Sequence, residues 1–200
     1  MEPRQVNRFF TILDRHFGQS ATVILTGAAA GSLLGHVRAS QDIDFEIHAA
    51  PRTRERLERA IGETSRLTNI QVNYTDNIDR WSSIAFLDYR RHHAPYRRFG
   101  RIEVRVLDPV YWSIGKLARG LDADLRDVVA VFRKHRPPLQ AVLRVWARAL
   151  RSSPLSPALT TFRQRVEGFL RTQGRAIWGA RFDADAAIST FQRQSRRQQH

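Results

Sequence analysis

Apolar residues recur at three- and four-residue steps from Gln5 to Phe17, where Val6, Phe9, Phe10, Leu13 and Phe17 share one face, and this spacing predicts an amphipathic helix. A short aliphatic run from Val23 to Leu25 predicts a strand that stops at Gly27. From Asp42 to Ile47 the chain alternates strictly, so a strand there puts Asp42, Asp44 and Glu46 on one face and Ile43, Phe45 and Ile47 on the other. Arg52 to Leu67 alternates charge heavily and reads as a surface helix crossing between strands. Ile70 to Tyr74 and Ile84 to Tyr89 are strand candidates, as is Arg101 to Leu107, with Ile102, Val104 and Val106 as its packing face. Asp108-Pro109 caps a helix carrying Lys116, and Pro137-Pro138 breaks the next one at His135. Two further helices are predicted, Leu139 to Arg151 and Pro157 to Trp178, with inner faces Leu143, Trp146, Ala147, Leu150 and Phe162, Val166, Phe169, Leu170. From Ala180 the chain turns polar, and a weak last helix around Ala186 to Gln192 followed by disorder is expected. The pattern predicts an α/β (α+β) protein, a sheet flanked by helices with a helical C-terminal appendage. The expected organisation is a core over 1–136, the appendage over 137–180 and a polar basic tail over 181–200.

Composition narrows this picture. Two hundred residues are ample for a buried core and allow one domain with an appendage or two small domains. The net charge of +14 attracts polyanions, which makes nucleic acid the first partner to consider. Codon usage in a high-GC genome is the competing explanation, since all but Lys116 and Lys134 of the 33 basic residues are arginine. Without cysteine, disulfides, thiolate catalysis and cysteine-bound zinc are excluded. No run approaches the ~20 apolar residues of a spanning helix, and the N-terminus lacks the apolar core of a signal peptide, so a cytoplasmic protein with no membrane partner is expected. Neither a Walker A motif nor G-x-G-x-x-G occurs.

Three stretches carry candidate chemistry. Two carboxylates held side by side on a strand, Asp42 and Asp44, are hard oxygen ligands suited to Mg²⁺ carrying a nucleotide's phosphates; a solvated acidic strand is the alternative. The small-residue turn of Gly27, Ala28, Gly31 and Ser32 lets backbone N–H groups approach a phosphate, although tight packing alone accounts for such a turn equally well. Arg90 to Arg98 reads as a basic loop with interleaved aromatics, in which Arg90, Arg91, Arg97 and Arg98 suit an RNA backbone; a solvated hairpin connection has the same composition. His92-His93 has no further ligands nearby in sequence and is read as no zinc site.

The segment from Gly27 through Leu34, Gly35, His36 and Arg38 to Asp42-Ile43-Asp44 resembles the nucleotidyltransferase superfamily related to DNA polymerase β, whose mark is hydrophobic-Gly-Gly/Ser, a spacer, then Asp-hydrophobic-Asp/Glu-hydrophobic. Two registers fit: Gly27-Ala28 is separated from Asp42 by thirteen residues and Gly31-Ser32 by nine. Within the superfamily the stretch looks most like the AbiEii-like toxin nucleotidyltransferases, which favours Gly27 and leaves Ala28 where the family usually has Gly or Ser. The same family carries a Lys on a helix and Asp-x-x-Asp at the start of the next, here Lys116 and Asp124 to Asp127. The resemblance implies a nucleotidyltransferase-type mixed sheet and transfer of a nucleotidyl group from an NTP, with Mg²⁺, to an acceptor, with RNA (tRNA) first. It implies metal binding by Asp42 and Asp44, with Glu103 as candidate third carboxylate, and phosphate binding by the turn. Lys116 would neutralise the triphosphate, and Asp124 would orient that lysine or the acceptor. A toxin would have an antitoxin protein as partner. A nucleotidyltransferase acting on a protein or small-molecule hydroxyl, and a catalytically silent nucleic-acid-binding member of the fold, are the alternatives.

Overall fold

The computed structural model describes residues 2–35 and 42–196. His36 and Arg38 of the motif, and the end of the basic tail, lie outside the described residues. The chain is a mixed α/β protein that divides into two compact units, one formed by Met1–Ile78 with Arg90–Asp108 and the other by Asp79–Tyr89 with Pro109–His200. This grouping differs from a boundary after residue 136, because the two helices that follow Asp108 pack with the C-terminal helices.

The first unit is a five-stranded sheet with three helices. In chain order these are α1 (Pro3–Phe17), β1 (Ala21–Thr26), α2 (Gly27–Leu33), β2 (Asp42–Ala49), α3 (Arg54–Thr68), β3 (Gln71–Thr75), β4 (His93–Phe99) and β5 (Ile102–Leu107). The sheet order is β3-β2-β1-β5-β4. β1 runs antiparallel to β2 and parallel to β5, β3 is parallel to β2, and β4 is antiparallel to β5. The period-two alternation of β2 is borne out, since Ile43, Phe45 and Ile47 are buried. Their face meets the apolar stripe of α1: Phe10 packs against Phe45 at 5.7 Å and against Phe99 at 6.0 Å between ring centroids. The opposite face is the polar one, and it carries Asp42 and Asp44.

Two predicted segments take other forms. Arg90 to Arg98 is no loop: a 3-10 turn over Tyr89–Arg91 leads into β4, an edge strand that completes the sheet. Ile84 to Tyr89 is no strand. Its first three N–H groups are satisfied by side chains, Ile84 by Ser82 Oγ at 3.0 Å, Ala85 by Ser153 Oγ at 2.8 Å and Phe86 by Asp79 Oδ1 at 2.6 Å, and Ile84, Phe86 and Tyr89 are buried without a ladder.

The second unit comprises that irregular segment and five helices, α4 (Pro109–Arg119), α5 (Asp122–His135), α6 (Leu139–Ser152), α7 (Pro157–Trp178) and α8 (Ala184–Ser195). Trp146 of α6 centres it, stacked on Phe132 at 6.1 Å, edge-on to Phe169 at 5.9 Å, and donating Nε1–H to Ser113 Oγ at 2.9 Å. The last helix is longer than predicted. Asp183 accepts from Ala186 N–H at 3.0 Å as its N-cap, and Ile188 and Phe191 are buried, so α8 is a core element up to Ser195.

Candidate functional site

Register brings the two halves of the glycine and aspartate motif together. Thr26, the last residue of β1, pairs with Asp44 of β2, so Gly27 follows directly beside that carboxylate. Gly27 has φ +60°, and a Cβ built on it would lie 1.9 Å from Asp44 Oδ2. Only glycine fits: the left-handed backbone disfavours a side chain, and Asp44 occupies the space one would need. Ala28 is half-buried beside Gly27, whereas Gly31 and Ser32 are buried along α2, with Ser32 Oγ donating to Ala29 O at 2.8 Å. Gly27 is thus the glycine set beside Asp44, while Gly31 and Ser32 are packed within α2.

Asp42 and Asp44, two residues apart on β2, both converge on one nitrogen. Asn73 of β3, opposite Asp44 in the parallel ladder, donates Nδ2–H to Asp44 Oδ1 at 2.9 Å and Asp42 Oδ2 at 3.3 Å. Carboxylate oxygens of both residues thus lie within reach of one point where positive charge is favourable. Among the described residues no group of three or more His, Asp or Glu could hold a metal ion. Two convergent carboxylates fit Mg²⁺ all the same, because this ion commonly takes one or two protein carboxylates and fills its shell with water and substrate phosphate.

The third carboxylate of the alternating strand has another task. Glu46 is fully buried and accepts from Ile78 N–H at 3.0 Å and from Arg90 Nε–H at 2.8 Å, with His48 Nε2 at 2.5 Å from Oε1. Arg90 also donates to Asp76 O at 2.7 Å. Arg90 is thereby a structural counter-ion, not a free RNA contact. Arg97 lies over the Phe99 ring at 5.4 Å, while Arg98 faces Glu103 at 3.7 Å on the other side of β4. Arg91 makes no hydrogen bond or ion pair among the described residues. The four arginines do not form one patch, because successive strand residues point to opposite faces.

Glu103 shares the polar face with Asp44 but is level with Thr22 on β1, four residues below Thr26 and so about 13 Å away along the strands. A hydrogen bond from Arg105 Nε at 2.8 Å holds its carboxyl below the usual range against partial desolvation. It belongs to an ion-pair ladder and does not join the aspartates.

Lys116, Asp124 and Asp127 are brought together within the second unit. Lys116 is 2% exposed; Nζ donates to Asp127 Oδ2 at 2.6 Å and Asp124 Oδ1 at 3.1 Å, and lies 5.1 Å from the Trp112 ring centroid. Arg119 grips both oxygens of Asp124, at 2.7 and 3.1 Å. Burial works to raise the Asp124 pKa, but the Arg119 hydrogen bonds and the Lys116 charge outweigh it and hold the carboxyl below its ordinary value. A lysine tied down in this way is a buried cross-link between α4 and α5.

Sequence reasoning missed Asn73 and Arg90 as partners of the carboxylate strand. The alternation of Gln71, Asn73 and Thr75 was the available signal for the first, but it becomes informative only once β3 is known to run parallel beside β2. No protein-family model, curated protein or solved structure matches the chain.

Proposed function

We propose that this protein is a Mg²⁺-dependent nucleotidyltransferase that moves a nucleotidyl group from an NTP to an acceptor, with RNA as the acceptor favoured by the charge. The observation that carries the proposal is the Gly27–Asp44 abutment: a glycine with φ +60°, at a strand-to-helix turn, set against one of two convergent aspartates.

Each residue then has a task. Asp42 and Asp44 would hold the ion, and Asn73 orients both carboxylates. Gly27 and Ala28 keep the approach clear of side-chain bulk for the triphosphate. Mg²⁺, when bound, neutralises phosphate charge and favours the ionised form of the attacking hydroxyl. The acceptor oxygen bonds the α-phosphorus as the bond to pyrophosphate breaks, and the hydroxyl proton leaves to solvent. Lys116 and Asp124, joined in a buried ion pair, hold α4 to α5. The likeness to AbiEii-like toxins extends the proposal to tRNA as acceptor and to an antitoxin as partner.

The experiment is incubation of purified protein with each labelled NTP, Mg²⁺, and total RNA or total protein, for the parent and for Asp44→Asn. The amide keeps the shape and an oxygen for Asn73 but forfeits the charge that holds the cation, so label transfer is expected to vanish while the circular dichroism spectrum is unchanged. Transfer at the parental rate by Asp44→Asn would sink the assignment.

A further inference from the structure

We infer that the groove along α6 in the second unit binds the phosphodiester backbone of unpaired RNA. The choice of RNA rests on the RNA-acceptor proposal above; the groove stands on its own residues. Arg144, Arg148 and Arg151 recur at steps of four and three, so they line one face of α6 in a row about 10 Å long. They border a groove of about 460 Å³ whose remaining lining is Ala141, Val145 and Gln194 of α8. Among the described residues no carboxylate is part of its lining. Arginine is also the side chain whose planar fork matches phosphate and stacks on bases.

These cations are available. Arg144 is exposed and makes no hydrogen bond or ion pair among the described residues. Arg148 pairs with Asp88 at 3.2 Å with both side chains partly exposed, a contact that exchanges cheaply for another anion. Arg151 donates to the backbone carbonyl of Gln194 and so closes the far end of the groove.

A second observation separates RNA from a bare anion. The side-chain oxygen of Gln194 is buried with no hydrogen-bond partner, an acceptor in a site otherwise built of donors. A phosphate cannot satisfy it. A ribose 2′-hydroxyl can, and that group distinguishes RNA from DNA. Ala141 and Val145 give an unpaired base an apolar floor.

The test is binding of a short unstructured RNA, and of the DNA strand of the same sequence, to the full chain across a salt series. The triple variant Arg144→Gln, Arg148→Gln, Arg151→Gln should flatten the slope of log affinity against log salt by about 2, near ~0.7 for each of three phosphates. Arg144→Gln alone breaks no contact and should flatten it by about 0.7. Gln194→Ala should leave the slope and erase the preference for RNA over DNA. A control variant, Arg4→Gln, Arg8→Gln, Arg15→Gln on the exposed face of α1, removes the same charge and should leave the slope unchanged. Equal flattening by control and groove variants, equal binding of RNA and DNA by the parent, no measurable RNA binding at low salt, or displacement of RNA by an acidic peptide would each overturn the proposal. Label transfer to RNA with slopes unmoved would remove the groove and keep the enzyme; groove-dependent RNA binding with transfer only to protein would do the reverse.

Discussion

Gly27 is the residue on which the site turns. Replacing it by alanine forces a Cβ into the space of Asp44 Oδ2 while leaving φ at +60°, so the backbone is strained by about 1 kcal/mol and Asp44 must swing away. Gly27→Ala should therefore lower stability modestly and weaken Mg²⁺-dependent NTP binding by an order of magnitude or more, about 1.4 kcal/mol. Calorimetric titration with NTP at fixed Mg²⁺, beside a thermal melt, reads both; tight binding by the variant would mean the turn is only packing. Gly27, Asp42 and Asp44 were legible in the sequence, since their spacing is local and alternation assigns strand faces. Their environment was not. The same alternation put Glu46 with the two aspartates, and nothing local says that Arg90 and Ile78, far along the chain, take up its oxygens. The burial of Lys116 was hidden for a related reason: a helix position reveals its burial only when the partner helix is placed.

Among elements, the α4–α5 pair offers a pH-dependent test. The Asp124 pKa is depressed in the folded protein, so its contribution to stability is fully present above its unfolded pKa of about 3.9 and is lost as pH falls through the lower folded value. Asp124→Asn should cost about 3 kcal/mol near neutral pH, because it leaves a buried lysine with one counter-ion fewer. That difference should hold down to about pH 5 and shrink below about pH 4, as urea melts of parent and variant across that range would show. A difference independent of pH would mean that packing, not charge, joins the helices. Helices and central strands were readable from periodicity, with ends shifted by a few residues. β4 and the 84–89 segment were not. Arg97 and Arg98 look like loop, yet an edge strand tolerates charge, and 84–89 looks like strand, yet Ser82, Ser153 and Asp79 stand in for neighbouring strands.

At the scale of the molecule, the mixed α/β class was legible, and the division of the chain was not, because it follows contacts between distant segments. Residues 79–89 belong to the helical unit, where Ile84, Phe86 and Tyr89 are buried and Phe86 packs beneath Gly115. A fragment of residues 109–200 lacks three large buried side chains, each contributing roughly 1.5–3 kcal/mol. It should unfold at lower temperature than the intact chain and bind a hydrophobic dye, and a peptide of residues 79–89 added in trans should restore it. A fragment as stable as the intact chain would show that the segment is dispensable.

This shared segment also bears on how the protein is made. Ala85 leaves the ribosome well before Ser153, the residue whose hydroxyl receives its N–H, which follows 68 positions later. At about 5–20 residues per second, roughly 3–14 s pass before Ser153 can reach residues 84–86. During that interval they are an exposed apolar stretch on a nascent chain, where a chaperone has its clearest opportunity to bind.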